Sequence, residues 1–126
     1  MIKAIGIDSV EIERFDAWKK YSHASLLKIF SASELAYALS NQFKTSERLA
    51  ARFAAKEASY KAFSSLVDKK ISFLSWCKYV EIVHGSDGQP VLTMHVQALS
   101  LQLISFVIHV SITHTKRVAT ALVIIE

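Results

Sequence analysis

Apolar positions recur with a helical period over residues 47–63 of the chain. Phe53 and Tyr60 fall on one flank of this predicted helix, and a row of alanines falls on the other. The segment lacks Gly and Pro and is rich in strong helix formers, so we predict one long helix packed on two sides. Glu57 and Lys61 project from the face between the flanks, beside alanines small enough to allow another segment or a ligand to approach.

Runs of β-branched and aromatic residues predict strands on either side of this helix. The predicted strands are residues 2–7, 79–84, 91–96, 105–112 and 118–125. A turn-rich linker over 85–90 predicts that the second and third form a hairpin. The last two strands are dense in Val, Ile and Phe, which predicts that at least one full face of each is buried. A subunit interface is one place where that face could be buried.

Shorter helical patterns complete the chain. They cover residues 10–20, 23–29, Ser31 through Ser40, and one or two turns within 97–103. Ser31 and Glu34 have the spacing of a capping box at the start of the third of these.

Composition narrows the class of protein. With 126 residues, 52% hydrophobic and 21% charged, the chain is expected to form one folded domain over 1–126. The net charge of +4 favours an acidic partner, but Lys and Arg are scattered, so nucleic acid is not expected. The single Cys77 excludes an internal disulfide and is compatible with a cytoplasmic location. Early carboxylates break any signal-peptide pattern, and no apolar run is long enough to predict a membrane span.

Four residues carry candidate chemistry, and each has an ordinary alternative. Asp8 follows the first predicted strand, where it is either a helix N-cap or a rigidly held metal ligand. Glu57 and Lys61 have the spacing of an (i, i+4) ion pair, which is worth only about 0.2–0.5 kcal/mol. A lone His such as His114, in the polar connection between the last two strands, is by itself an ordinary turn residue.

Three segments decide between these alternatives because each resembles a motif of one family. They read Gly6-Ile7-Asp8-x-Val10-Glu11-Ile12-x-Arg14, Leu49-Ala50-x-Arg52-Phe53-Ala54-Ala55-Lys56-Glu57-Ala58-x-x-Lys61-Ala62, and Val110-Ser111-Ile112-Thr113-His114-Thr115 with the later Ala119. They resemble the holo-acyl-carrier-protein synthases, the small bacterial phosphopantetheinyl transferases. Their order and spacing extend the resemblance over essentially the whole chain.

The resemblance implies an α+β fold in which antiparallel strands pack on the long helix, assembled as a homotrimer with active sites between subunits. It implies transfer of 4′-phosphopantetheine from coenzyme A to a serine of an apo-acyl carrier protein, with release of adenosine 3′,5′-bisphosphate, in support of fatty acid biosynthesis. A non-catalytic module that binds a nucleotide or an acidic protein, and a metal-dependent phosphohydrolase, are the competing classes.

Residue roles follow from the matched motif positions. Asp8 and Glu57 are expected to hold Mg²⁺, which prefers carboxylate, phosphate and water oxygens. Either Glu57 or a metal-bound water is expected to take the serine proton, and Lys61 to stabilise charge on the phosphates. Arg14, beside the metal carboxylate, is expected to contact the acidic carrier protein. The residues expected at coenzyme A are Arg52, Lys56 and His114 on its phosphates and Ser111 along its cleft.

The chain departs from the family after Phe63. Relatives usually carry glycines there, close to the cofactor phosphates, whereas this chain has serines followed by Lys69 and Lys70, which could replace such contacts. His109 is expected to be a core or interface residue, and the remaining histidines have no motif support.

Overall fold

The structure, a computed structural model, describes residues 1–95 and 106–126 and has the α+β architecture that the sequence predicts. In chain order the elements are β1 Ala4–Glu11, a 3₁₀ helix Ile12–Lys20, α1 His23–Leu26, α2 Ala32–Leu39, α3 Thr45–Ser64, α4 Phe73–Cys77, β2 Val80–His84, β3 Pro90–Met94, β4 Ile108–His114 and β5 Val118–Ile125. The helical turns predicted within 97–103 lie outside the described residues. Among those described, no helix is both long enough and apolar enough to cross a membrane.

Two antiparallel sheets pack against α3. β5 lies between β1 and β4 in a three-stranded sheet, and β2 pairs with β3 in the predicted hairpin. The inward positions of β5 are fully buried at Ala119, Ala121, Val123 and Ile125. The first two of these side chains are small, so the helix can lie close to this part of the strand.

β1 makes an equally close approach to α3 at Gly6. A β-carbon on Gly6 would overlap the backbone carbonyl of Ala58, so any larger residue would push the strand away from the helix. Because side chains alternate along a strand, Gly6 and Asp8 both face the helix while Ile5 and Ile7 face outward. This contact therefore sets the depth at which Asp8 meets α3.

A buried ion pair joins α2, α3 and β2. The Lys56 ammonium lies 2.7 Å from Glu34 Oε1, and neither side chain is exposed to solvent. Lys56 also donates to the carbonyls of Ile29 at 2.7 Å and Cys77 at 3.3 Å, which occupies all three of its donors. The predicted capping box of Ser31 and Glu34 is confirmed, and the second carboxylate oxygen of Glu34 accepts the backbone N–H of Ile82 at 2.9 Å.

This position corrects the expectation that Lys56 holds phosphates of coenzyme A. Its ammonium is enclosed by the core, and each donor already has a partner. Lys56 is thus a structural residue, and the Glu34 carboxylate does far more than cap a helix.

The helix predicted over residues 10–20 begins later and has a different form. Val10 is part of β1, where it is buried and pairs with Ala119, and a 3₁₀ helix begins only at Ile12. Asp8 consequently lies within the strand, opposite Ala121, and does not cap a helix. Within this 3₁₀ helix Phe15 and Trp18 pack together, with ring centroids 4.5 Å apart.

The buried pair generates a stability prediction. Replacing Lys56 with Met should lower the free energy of unfolding by about 3–5 kcal/mol, because it leaves the Glu34 carboxylate buried and unpaired. The double variant Glu34→Gln, Lys56→Met should lose much less than the sum of the single losses. Urea unfolding of the four proteins measures both effects, with Lys78→Met as the control at an exposed lysine. A Lys56→Met loss no larger than that of the control would contradict the prediction.

Candidate active site

Asp8 and Lys61 meet where β1 crosses the C-terminal half of α3. Lys61 Nζ lies 2.9 Å from Asp8 Oδ1 and 3.2 Å from the carbonyl oxygen of Ile7. The Asp8 side chain is only 14% exposed, whereas that of Lys61 is 52% exposed. Lys61 therefore forms an ion pair with Asp8 of another element. Among the described residues it does not form the (i, i+4) ion pair with Glu57 that the spacing allows.

Glu57 lies one helical turn before Lys61 and is half-buried. Burial raises the pKa of Glu57 above its ordinary value, and the negative charge of Asp8 raises it further. Lys61 and Arg14 act in the opposite direction. The charges of Asp8, Lys61 and Arg14 therefore all act on Glu57. We call Asp8, Glu57 and Lys61 the carboxylate cluster.

The carboxylate cluster fits a divalent cation. Asp8 Oδ2 is buried and has no hydrogen-bond partner among the described residues, so it is an acceptor that lacks a donor. Protein sites of Mg²⁺ often use only one or two carboxylates and take their remaining ligands from phosphate and water. The described part of the chain contains no group of three or more metal-binding side chains.

Arg14 lies over an aromatic surface beside this cluster. Its guanidinium carbon is 5.1 Å from the ring centroid of Phe53, 5.6 Å from that of Trp18 and 5.7 Å from that of Phe15. Guanidinium groups are attracted to the faces of such rings. The residue remains exposed, so its donors are available to a partner.

A second cluster of charge surrounds Tyr37 of α2. The guanidinium carbons of Arg48 and Arg52 lie 4.0 and 4.2 Å from its ring centroid, and the ring of His84 lies 4.5 Å from it. Arg52 is only 6% exposed, burial lowers its pKa, and its Nε has no partner among the described residues. We call these four residues the arginine cluster.

The two clusters lie on nearly opposite sides of α3. At 3.6 residues per turn, Arg52 and Glu57 are separated by about 140° around the helix and about 7.5 Å along it. Buried residues of the helix separate the two clusters, so they face different surfaces of the same chain.

His114 and Ser111 also lie away from the carboxylate cluster. His114 ends β4, where its Nε2 lies 3.1 Å from Oε1 of Glu47 in the first turn of α3. Glu47 precedes Glu57 by ten residues, or about 15 Å of helix. Ser111 is exposed on the outer face of the sheet, opposite Leu122.

Sequence reasoning missed Tyr37, Arg48 and His84. The (i, i+4) spacing of Arg48 and Arg52 was a usable signal, because it places two cations on one helical face. Tyr37 and His84 reach the cluster from α2 and from the end of β2. No local pattern could have indicated their approach.

A cavity of about 370 Å³ lies at the end of α3, in the segment that lacks the usual glycines. Its wall includes Phe63 and Trp76, with Lys69 and Lys70 also lining it. The Tyr60 hydroxyl donates to the carbonyl of Ile71 at 2.6 Å and so ties this segment to the helix.

Comparison with known proteins gives a consistent result. Residues 4–123 match the family described as the 4′-phosphopantetheinyl transferase superfamily. Holo-[acyl-carrier-protein] synthase of Bacillus subtilis is 38% identical over 128 aligned residues, which cover 100% of this chain and 97% of that protein. A Chronobacterium ammoniagenes ACPS–CoA complex superposes with a TM-score of 0.78 at 28% identity, covering 97% of this chain and 95% of the other. A Bacillus anthracis holo-(acyl-carrier-protein) synthase in complex with CoA (3′,5′-ADP) gives a TM-score of 0.75 at 30% identity, with 99% and 96% covered.

The raised pKa of Glu57 generates a stability prediction for the chain without metal. A carboxyl group whose pKa is higher in the folded than in the unfolded protein lowers the stability of the fold as pH rises. The loss begins near the ordinary pKa of the group, 4.5. Glu57→Gln should therefore unfold at a higher temperature than wild type at pH 7 in a chelator, and the difference should vanish below pH 4.5. Adding Mg²⁺ should stabilise wild type more than the variant, since ligand binding to the folded state raises stability.

Thermal unfolding at several pH values measures both effects, and Glu13→Gln serves as the control at an exposed glutamate. If Glu57→Gln is no more stable than wild type at pH 7 without metal, the charge conflict described here does not exist.

Proposed function

Since the chain belongs to the 4′-phosphopantetheinyl transferase superfamily, among the holo-[acyl-carrier-protein] synthases, we propose that it transfers 4′-phosphopantetheine from coenzyme A to an apo-acyl carrier protein. The whole of residues 1–126 is then one transferase domain, working in the cytoplasm and supplying holo-carrier for fatty acid biosynthesis. The observation that carries the proposal is the ion pair of Asp8 and Lys61 where β1 crosses α3, with Glu57 near enough for the charge of Asp8 to raise its pKa.

In this reaction the carrier serine oxygen forms a bond to the β-phosphorus of coenzyme A. The bond from that phosphorus to the bridging oxygen breaks, and adenosine 3′,5′-bisphosphate leaves with the electron pair. Glu57 accepts the serine proton in this proposal. Lys61 uses two of its three donors within the chain, so one remains to stabilise a phosphate oxygen.

The metal-binding residues are Asp8 and Glu57. The buried Oδ2 of Asp8 supports this role because it needs a positive partner that the described chain does not provide. Mg²⁺ bound there would neutralise charge on the pyrophosphate and polarise the phosphoryl group.

Coenzyme A phosphates bind at Arg52 and His114 in this proposal. The guanidinium of Arg52 is buried and forms no ion pair with a carboxylate in the described chain, which is costly unless an anion binds there. The imidazole of His114 is exposed, and its contact with Glu47 orients it. Ser111, on the same strand, would lie along the cleft between subunits.

The active site is completed by a second chain in a homotrimer. Two observations support this assembly. The carboxylate and arginine clusters lie on nearly opposite sides of α3, so a compact ligand that contacts both would take them from two chains. The outer face of the sheet also exposes apolar side chains, with Ile5 at 59% and Ile7 at 57% exposed beside Ile124 and Leu122. Such a surface favours association between copies of the chain.

Arg14 is the proposed contact for the acyl carrier protein. It is exposed beside the carboxylate cluster, and its aromatic base holds the guanidinium over Phe53 and Trp18. An Arg can grip a carboxylate of an acidic partner through two parallel hydrogen bonds. This role would be withdrawn if Arg14→Glu left the Michaelis constant for the carrier unchanged.

Mass spectrometry of the carrier tests the activity directly. Apo-carrier incubated with the protein, coenzyme A and Mg²⁺ should gain one phosphopantetheine, and should gain none with Glu57→Ala. If coenzyme A binds but is not consumed, the chain is a binding module. Release of phosphate without a carrier would identify a phosphohydrolase.

Mixing inactive chains tests the shared site. If the carboxylate cluster of one chain works with His114 of another, Glu57→Ala and His114→Ala proteins should each be inactive but recover activity together. Random exchange in a closed ring leaves about a quarter of the sites intact. Glu57→Ala mixed with Asp8→Ala is the matched control and should stay inactive, because both changes damage the same cluster. A monomer in light scattering at assay concentration would refute the shared site.

A further inference from the structure

The arginine cluster carries more positive charge than the proposed function uses. Arg48 lies beside Arg52, and neither guanidinium forms an ion pair within the described residues. Two neighbouring cations repel each other, and a guanidinium as buried as that of Arg52 also loses hydration. A bound anion would remove both costs at once.

Tyr37 arranges these cations around one aromatic ring. Both guanidinium carbons lie within 4.2 Å of its centroid, and the Tyr37 carbonyl and Ser40 hydroxyl accept hydrogen bonds from Arg48 at 2.7 and 3.0 Å. Arg48 is therefore held in one orientation before any ligand arrives. Such preorganisation lowers the entropic cost of binding.

His84 brings a third, titratable group to the same ring. Its imidazole packs against Tyr37 with centroids 4.5 Å apart and an interplanar angle of 62°. Arg48 and Arg52 face it from α3, Tyr37 faces it from α2, and Asp87 lies in the turn of its own hairpin, where it accepts the backbone N–H of Gln89. Burial and the two arginines lower the pKa of His84 below its ordinary value of 6.5, so the free imidazole is neutral near pH 7.

We propose that Tyr37, Arg48 and His84 extend the anion site of Arg52, and that a phosphate group bound there is contacted by His84 in its protonated form. The inference rests on the proposed function, because the phosphate is taken to be one of the coenzyme A donor. A bound phosphate offsets the repulsion from the arginines, so binding takes up a proton on His84. Affinity for the phosphate then rises as pH falls through the range between the pKa of bound His84 and that of free His84.

Calorimetric titration with adenosine 3′,5′-bisphosphate at fixed ionic strength tests the proposal. Between pH 8 and pH 6 the dissociation constant of wild type should tighten several-fold, toward the limit of about tenfold that a shift of about one pKa unit gives. His84→Gln should lose this pH dependence, whereas His95→Gln, at an exposed histidine, should retain it. Arg48→Met should weaken binding at every pH.

Proton NMR of the His84 ring gives a second readout that does not depend on catalysis. Its titration midpoint should move to higher pH when adenosine 3′,5′-bisphosphate or inorganic pyrophosphate is added. An unmoved midpoint, or a His84→Gln protein with the pH dependence of wild type, would overturn the inference. Failure of carrier modification together with a shifted midpoint would instead refute the transferase and leave this anion site standing.

Discussion

The close contact between Gly6 and Ala58 is the constraint on which the carboxylate cluster depends. It fixes how deeply β1 lies against α3, and strand alternation then turns Asp8 toward Lys61 and Glu57. A side chain at position 6 would separate the two elements, and displacements near 1 Å are enough to impair a site of this kind. The same alternation turns Ile5 and Ile7 outward, so one strand builds both the carboxylate cluster and the exposed apolar face.

Sequence patterns predicted the elements whose periodicity is strong. The long helix and the strand at 118–125 were recovered almost to the residue, because their patterns extend over many positions. The prediction that a helix begins at Val10 was wrong. Val10 belongs to β1 because it pairs with Ala119, a residue over a hundred positions away. Local propensity cannot register such a partner.

Lys56 shows the same limit for a candidate site residue. Its place in the signature helix predicted a ligand contact, but its role is set by Glu34 of α2 and by two backbone carbonyls. The sequence predicted only a capping box for Glu34, and that motif uses one carboxylate oxygen. The other oxygen accepts the backbone N–H of Ile82, which no local pattern indicates. Buried charges of structural residues are fully paired in this way. Arg52, on the same helix, has an unpaired Nε among the described residues, and for that reason we propose a ligand contact for Arg52 and none for Lys56.

Among the described residues, two buried side-chain atoms lack partners: Asp8 Oδ2, an acceptor, and Arg52 Nε, a donor. The first needs a cation and the second an anion, which are the two charges that a metal-bound phosphate ester brings together. They lie on nearly opposite sides of α3, and in the proposed homotrimer a single ligand would contact one of these atoms from each of two chains. Each chain offers both clusters, so head-to-tail contacts that close into a ring would complete one site per chain and leave neither atom unpaired.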